Sequence, residues 1–237
     1  NLLTSYNTGD IIAVGRISIV TRMKRFGKES TVREIDLTTW NRAMHCQIFR
    51  NSVQPQYCVT FELDITNFLR RIRERGYSFT FSFIFAVTKC ANEIEEFRCR
   101  FWEGKPIIYD KINTSFTYLD NGSELFKVVN VEMQDTVEAY VSLAADTVRK
   151  QKEYFTAPMG NDIYQFSSFP WVSFTHISHT ESGKKENATP MIDWGKYFVR
   201  GEKVMLPFSV QVHHSFVDGV HIGKLANLLQ GYLDYFE

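Results

Sequence analysis

Near its C-terminus the chain runs from a strong strand pattern straight into a strong helix pattern. Apolar residues occupy every second position in residues 203–212, which predicts a strand with one buried face. After Gly219 the apolar residues recur at helical spacing, which predicts an amphipathic C-terminal helix. The chain must therefore leave a sheet and enter a helix within residues 213–218.

Two histidines, His213 and His214, lie in this junction. A neutral imidazole, with an unperturbed pKa near ~6.5, can take a proton from a hydroxyl at ambient pH, and we predict that His214 is such a base. Asp218 is expected to pair with a cation and brace the turn, and Gly219 to adopt a backbone conformation that a Cβ would resist. A histidine beside an apolar strand is more often structural, so this pattern alone leaves both interpretations open.

Composition excludes several classes of function. Lysine and arginine number 27 and aspartate and glutamate 27, so no basic surface for nucleic acid or an anionic membrane is expected. No apolar run approaches the ~20 residues that span a bilayer, which predicts no membrane segment. The cysteines show no metal-site spacing, and we expect four reduced thiols in a cytoplasmic protein: Cys46, Cys58, Cys90 and Cys99.

The remaining patterns predict helices and strands mixed along one domain. Helices are predicted over residues 66–75, 79–97 and 135–152, and strands over residues 106–109, 115–119, 125–131, 164–166, 171–177 and 197–200. Asn121-Gly122 predicts a turn between two of these strands. The order predicts an α/β fold, a two-layer sandwich in which helices pack on a mixed β-sheet. Residues 1–22 are interpreted as an N-terminal extension of unknown role and residues 23–237 as a single domain.

Several separated motifs share one order along the chain from about Met23 onward. They are Trp40-Asn41-Arg42, Leu63-Asp64-Ile65-Thr66, the stretch from Ser167 through Pro170-Trp171 to Phe174, Trp194-Gly195-Lys196-Tyr197, and His214 with Asp218-Gly219. Together they resemble the chloramphenicol acetyltransferase family. The resemblance implies transfer of an acetyl group from acetyl-CoA, as cosubstrate, directly to a hydroxyl of chloramphenicol without an acyl-enzyme. It also implies a homotrimer whose active sites lie between subunits, with no tightly bound cofactor and no metal.

The resemblance also implies roles for individual residues. His214 would be the general base, its imidazole held by a bond to its own main-chain carbonyl, and Ser167 would stabilise the tetrahedral oxyanion. Asp218 and Arg42 would form a salt bridge that supports the loop without relaying protons. Substrate-binding positions would be Phe49, Tyr57, Phe126, Ile177, His179 and Asp193, and coenzyme A-binding positions Lys196 and Tyr197.

Departures from the family pattern fall at the acceptor pocket. Pro55, Ile177 and His179 stand where cysteine, phenylalanine and leucine are usual, and Asp193 replaces a threonine. An anion beside an oxyanion is unfavourable unless it is turned away or neutralised. A histidine in an apolar pocket changes its shape and polarity, so the residues leave the acceptor open.

Two further classes of function stay open from the residues alone. A related CoA-dependent acyltransferase with a different hydroxyl acceptor would account for the departures. Dihydrolipoyl acyltransferases share the His-x-x-x-Asp-Gly pattern but carry a lipoyl-bearing arm that this chain lacks. A non-catalytic binding or metal protein is the remote alternative, and it would use His176, His179, His213, His214 and His221.

Overall fold

A computed structural model describes residues 20–25, 28–156, 160–180 and 183–236. The strands are β1 (Val20–Arg25), β2 (Lys28–Glu34), β3 (Gln56–Asp64), β4 (Cys99–Trp102), β5 (Lys105–Tyr109), β6 (Asn113–Leu119), β7 (Phe126–Val131), β8 (Ile163–Phe169), β9 (Met191–Gly195), β10 (Phe198–Arg200) and β11 (Lys203–His213). The helices are α1 (Ala43–Arg50), α2 (Thr66–Glu74), α3 (Phe79–Asn92), α4 (Val137–Lys150) and α5 (Gly219–Asp234).

The strands form two sheets. In the larger sheet β3, β11, β9, β8, β6 and β7 lie side by side in that order, and β10 pairs with the first residues of β11. The β6–β8 and β8–β9 pairs are parallel and the other pairs are antiparallel, so the predicted mixed sheet is confirmed. A smaller antiparallel sheet, in the order β1, β2, β5 and β4, was not predicted as a separate unit.

Helices cover one face of the larger sheet. Phe83 in α3 lies edge-on to Trp194 in β9, with ring centroids 5.2 Å apart, and to Phe208 in β11, at 6.0 Å. The hydroxyls of Tyr140 in α4 and Thr114 in β6 lie 2.6 Å apart at another buried contact. These contacts place the aromatic core between the helices and the sheet, and the predicted α/β two-layer sandwich is confirmed.

The opposite face of the larger sheet carries a row of polar side chains across five strands. Ser167 pairs with Asp193, Asp193 with Ser209, and Ser209 with Thr60. Thr117 extends the row, because its hydroxyl donates to Ser167 Oγ at 3.3 Å. Residues paired on neighbouring strands point to the same face, so these five residues form one line, the polar row.

Most of the predicted elements are found, with two corrections. The predicted helix over residues 79–97 ends at Asn92, and a 3₁₀ turn, Glu95–Arg98, follows. The predicted strand over residues 171–177 is wrong: β8 ends at Phe169, since Pro170 has no N–H to donate to a ladder, and the next residues run without regular structure.

The prediction for Gly219 is also wrong. Its φ is not positive, and a Cβ added there would meet nothing within 4 Å, so no conformational need for glycine exists at this first residue of α5. Gly122 does have a positive φ, +81°, at the predicted turn between β6 and β7.

Part of the predicted N-terminal extension, residues 1–19, lies outside the described residues, and the domain division stays a prediction. Among the helices of the described residues, none combines the length and apolarity needed to cross a bilayer.

Candidate active site

His213 is the last residue of β11, and its ring is fixed on both sides. The amide of Ser215 donates to Nδ1 at 3.1 Å, and Nε2 lies 2.8 Å from the carbonyl of Lys185, so Nε2 carries the proton and donates. Burial lowers the pKa of His213 to about 4. A neutral ring with both nitrogens engaged is a structural histidine.

His214 lies one residue further, in the loop between β11 and α5, and its ring is about one third exposed. The ring of Phe49 stacks on it with centroids 3.7 Å apart and planes 2° apart, and Tyr57 packs at 4.7 Å. Its amide donates to the carbonyl of Pro55 at 2.9 Å. Nothing among the described residues hydrogen-bonds to Nε2, so this nitrogen is free to take a proton.

Arg42, at the start of α1, holds the loop that carries His214. Its guanidinium donates to the carbonyl of Ser215 at 3.0 Å and to that of His214 at 2.8 Å. It also makes two contacts with the carboxylate of Asp218, one of them at 2.6 Å. This arrangement fixes the loop backbone and lowers the pKa of Asp218 through the hydrogen bonds from Arg42.

The surroundings of Nδ1 in His214 differ from those that the family resemblance implies. The His214 carbonyl accepts from Arg42, and the nearest acidic atom to Nδ1 is Oδ1 of Asp218, at 2.9 Å. Nδ1 is buried, but the N–H direction does not meet hydrogen-bond geometry, so the contact is an electrostatic one. A carboxylate this close favours the proton on Nδ1 and leaves Nε2 as the basic nitrogen.

Tyr57 completes the surroundings of His214. Burial raises its pKa to about 12, so its side chain is a neutral phenol, and the hydroxyl donates to the carbonyl of Val217 at 3.2 Å. The structure therefore brings together five of the predicted site residues: His214, Phe49, Tyr57, Asp218 and Arg42.

A second group of predicted residues surrounds Ser167 in the polar row. Thr117 donates to Ser167 Oγ, which leaves the Ser167 hydroxyl proton free to be donated elsewhere. Asp193 is the neighbour of Ser167 in β9, and Phe126 lies half exposed on β7 two residues before Val128, the partner of Thr117.

His179 and Asp193 form a buried pair in this second group. Nε2 of His179 lies 2.6 Å from Oδ2 of Asp193, and the two side chains are 12% and 1% exposed. Burial raises the pKa of Asp193, and the hydrogen bond with His179 opposes that shift. Ile177, two residues before His179, is half buried in the same irregular segment.

The two groups lie far apart within one chain. Ser209, which shares the polar row with Ser167, lies two strands from it and five residues before His214 along β11. At ~3.3 Å per residue and ~4.8 Å per strand, His214 and Ser167 are roughly 20 Å apart. A general base and an oxyanion donor act on atoms within ~3 Å of each, so one chain does not bring these two predicted residues to the same substrate.

The predicted coenzyme positions lie between β9 and β10. Lys196 and Tyr197 are exposed, and the Tyr197 ring is 6.3 Å from that of Phe79 at the start of α3. Arg73 of α2 reaches the Tyr197 hydroxyl at 3.5 Å. These residues present two cations on one exposed surface.

Two contacts in the site were not predicted. Thr117 was placed in a strand, but its contact with Ser167 depends on the pairing of β6 with β8, which no local pattern reveals. The amide-to-carbonyl bond from His214 to Pro55 similarly depends on β3 lying beside β11. Among the described residues, no group of three or more histidine, cysteine, aspartate or glutamate side chains could hold a metal ion.

Comparisons with known proteins agree with this fold. The family model described as chloramphenicol acetyltransferase matches residues 31–230. A chloramphenicol acetyltransferase of Klebsiella sp is 30% identical over 206 residues, which cover 86% of this chain and 94% of that protein. Chloramphenicol acetyltransferase 2 of Escherichia coli is 32% identical over 200 residues, covering 83% and 94%. A solved structure of a chloramphenicol acetyltransferase, 24% identical, covers 85% of this chain and 99% of that chain with a TM-score of 0.78.

The helix-covered mixed sheet and the family match together define an acyltransferase. The chain belongs to the chloramphenicol acetyltransferase family.

Proposed function

We propose that this enzyme transfers the acetyl group of acetyl-CoA to a hydroxyl of chloramphenicol, with His214 as the general base. The observation that carries the proposal is the environment of His214: a ring stacked on Phe49, with Nδ1 beside Asp218 and Nε2 free. The family match supports the substrates, because the relatives bear the name chloramphenicol acetyltransferase.

The reaction follows from this geometry in two proton transfers. Nε2 of His214 takes the proton of the acceptor hydroxyl as its oxygen attacks the thioester carbonyl of acetyl-CoA. The tetrahedral intermediate then collapses, the carbon–sulfur bond breaks, and the imidazolium returns the proton to the coenzyme A thiolate. The ester and the free thiol leave together, and the base ends in its starting state.

Ser167 stabilises the oxyanion of that intermediate in this proposal. Its Oγ accepts a hydrogen bond from Thr117, so its own proton is available to the developing charge. One such donor is worth about 3 kcal/mol, or roughly a hundredfold in rate.

The site is assembled from two copies of the chain. His214 and Ser167 of one chain, roughly 20 Å apart, do not meet on one substrate, so the base of one copy works with the serine of another. The helix α1, which carries Phe49, exposes Met44 and Ile48 on its surface, and such apolar side chains are suited to burial against a second copy. The family resemblance makes the assembly a homotrimer.

The remaining predicted residues fit the two substrates. Phe49, Tyr57 and Phe126 supply aromatic surface for the acceptor, and the segment with Ile177 supplies apolar surface. Lys196 and Tyr197, with Arg73 beside them, meet the phosphates and the far end of acetyl-CoA. The four free thiols are consistent with a reducing compartment, and we place the enzyme in the cytoplasm.

A second candidate acceptor class is favoured by one observation, the His179–Asp193 pair. A buried polar pair in the acceptor region also suits a different hydroxyl compound that carries a further polar group. The reaction and its base would be the same.

One assay tests both candidates. The purified enzyme is mixed with acetyl-CoA and chloramphenicol, and free coenzyme A thiol is followed with a chromogenic disulfide. We expect saturable release that disappears in His214→Gln, which keeps a polar side chain but not the base. Circular dichroism checks the fold of the variant. No release at millimolar chloramphenicol, with release for other hydroxyl compounds, would replace the first candidate by the second.

A further inference from the structure

The His179–Asp193 pair leaves one buried oxygen without a partner. Oδ2 of Asp193 lies 2.6 Å from Nε2 of His179, while Oδ1 has no hydrogen-bond partner among the described residues. The side chain of Asp193 is 1% exposed. Buried oxygens of native proteins almost always have a partner, so an orphan carboxylate oxygen here points to a group that is absent from the free chain.

The position of Asp193 in the sheet shows which part of the proposed site that group would contact. Asp193 lies between Ser167 and Ser209 in the polar row, one strand from the proposed oxyanion donor. The segment after β8 crosses over this strand, because the amide of Lys196 donates to the carbonyl of Val172 at 2.8 Å. The same segment carries His179, which contacts Asp193, so the pair lies where this segment meets β9, one strand from Ser167.

The hydroxyls of the neighbouring serines do not reach Oδ1 of Asp193. Thr117 donates to Ser167, and Thr60 donates to Ser209, whose hydroxyl also lies 3.0 Å from Cys58 Sγ. Neither serine hydrogen-bonds to Asp193 in this arrangement. Among the described residues of one chain, no donor reaches Oδ1.

His179 determines the electrostatic character of the pair. A buried carboxylate alone is strongly disfavoured, and a histidine at 2.6 Å offsets that penalty by sharing a proton with it. Burial raises the pKa of Asp193 and His179 lowers it, so the pair acts as a neutral or weakly charged acceptor. Such an acceptor suits a neutral donor, a hydroxyl or an amide N–H, better than an ammonium group.

We propose that Asp193 and His179 are specificity residues for the acceptor: Oδ1 of Asp193 accepts a hydrogen bond from a hydroxyl or N–H of the acceptor other than the hydroxyl that is acetylated. The inference rests on the proposed acetyl transfer and adds a second point of recognition to it. The enzyme then selects acceptors with two separated hydrogen-bond donors: the hydroxyl that gives its proton to His214, and a second group that donates to Asp193.

Chloramphenicol allows a direct test, because besides its primary hydroxyl it carries a benzylic hydroxyl and an amide N–H. The kcat/KM values are compared for chloramphenicol, its benzylic deoxy analogue and its N-methyl amide analogue. The enzyme is expected to prefer chloramphenicol over one of these analogues by about 10- to 100-fold, because the analogue leaves the buried oxygen without a donor. In Asp193→Leu this preference is expected to fall below about threefold.

A second variant guards against misfolding. Asp193→Leu leaves His179 buried without its partner, so the double change H179L/D193V is made as well, which removes the pair together and leaves neither a buried charge nor an acceptor. The matched control is Thr60→Val at the far end of the polar row, which removes a hydroxyl without touching the pair. The control is expected to keep the preference of the unaltered enzyme.

Each outcome decides the inference. Loss of the preference in H179L/D193V, with kcat/KM for chloramphenicol falling towards that for the analogue, supports it. An equal preference in the unaltered enzyme and H179L/D193V, or no preference in the unaltered enzyme, overturns it while acetyl transfer stands. Absence of transfer to all three compounds in the unaltered enzyme overturns the proposed function, and with it this inference about the acceptor.

Discussion

Phe49 and His214 lie face to face, with ring centroids 3.7 Å apart and planes 2° apart. The stack holds the imidazole against rotation, because the phenyl ring lies flat against its face. In Phe49→Leu the volume is largely kept but the flat surface is lost. We expect kcat to fall about tenfold, since small misplacements of a catalytic group cost this much or more. Steady-state kinetics with a melting-temperature check measures the effect; an unchanged kcat would contradict it.

The planar guanidinium of Arg42 donates several hydrogen bonds to the loop that carries His214, and the ammonium group of lysine does not have this geometry. Arg42→Lys is therefore expected to lower kcat and to reduce the free energy of unfolding by about 2 kcal/mol. The matched control is Arg200→Lys, because Arg200 also bonds both oxygens of a carboxylate, that of Glu62, but on the exposed surface. Little change is expected there. If urea unfolding showed the same loss of free energy of unfolding in both variants, the stabilising role of Arg42 in the loop would be contradicted.

Stability in acid is expected to depend on His213. Its pKa is about 4 when folded and about 6.5 when unfolded, so between these values only the unfolded chain takes up the proton. The free energy of unfolding is therefore highest above pH 6.5 and falls as the pH falls towards 4. From pH 7 to pH 5 the loss attributable to His213 is about 2 kcal/mol. His213→Gln is expected to lose less stability over that interval in urea titrations, and an identical loss would exclude the explanation.

Mixing two inactive variants tests the shared site. His214→Ala and Ser167→Ala are each expected to lose at least about a hundredfold in kcat. When the two chains are unfolded together and refolded, roughly one quarter of the interfaces join an intact base to an intact serine. Activity is expected to recover in the mixture, whereas each variant refolded alone stays inactive. No recovery would place the base and the serine in the same chain.

Gly195 ends β9 at a close approach of three other groups. A Cβ at this position would lie 2.8 Å from the Val172 carbonyl oxygen, 2.8 Å from Pro207 Cγ and 3.0 Å from Phe174 Cδ1. Gly195→Ala is expected to lower stability by about 1–3 kcal/mol through overpacking. Gly223→Ala, in α5 with nothing within 4 Å, is the control and is expected to raise stability by up to about 1 kcal/mol. The melting temperatures of both variants measure these changes in stability. A higher melting temperature for Gly195→Ala would contradict the predicted overpacking.

Local patterns predict the elements on either side of the base, but not how the strands pair. The alternation in β11 and the spacing in α5 are visible because each buries one face against the core. The strand β3 has the same signal, with Tyr57, Val59, Phe61 and Leu63 at alternate positions, and was missed although the pattern was available. The helix α1 gives no usable signal, because Met44 and Ile48 face outward and only Cys46 is buried.

The parts of the site that depend on register could not be predicted from one chain alone. The alignment of Ser167, Asp193 and Ser209 follows from parallel and antiparallel pairings between strands far apart in sequence, and a shift of one residue would turn Asp193 to the other face. The contact between His179 and Asp193 likewise needs the fold of the segment after β8. Sequence therefore identifies the residue types, and the register decides which of them meet.

The ion pair between Arg42 and Asp218 has a consequence for the synthesis and folding of the enzyme. Arg42 is synthesised 176 residues before its partner, so the loop that holds the proposed base lacks this anchor until Asp218 has been made. Contacts of this sequence separation form late in folding, after the local helices. A nascent chain that has not yet reached Asp218 thus holds the proposed base in a loop without this anchor.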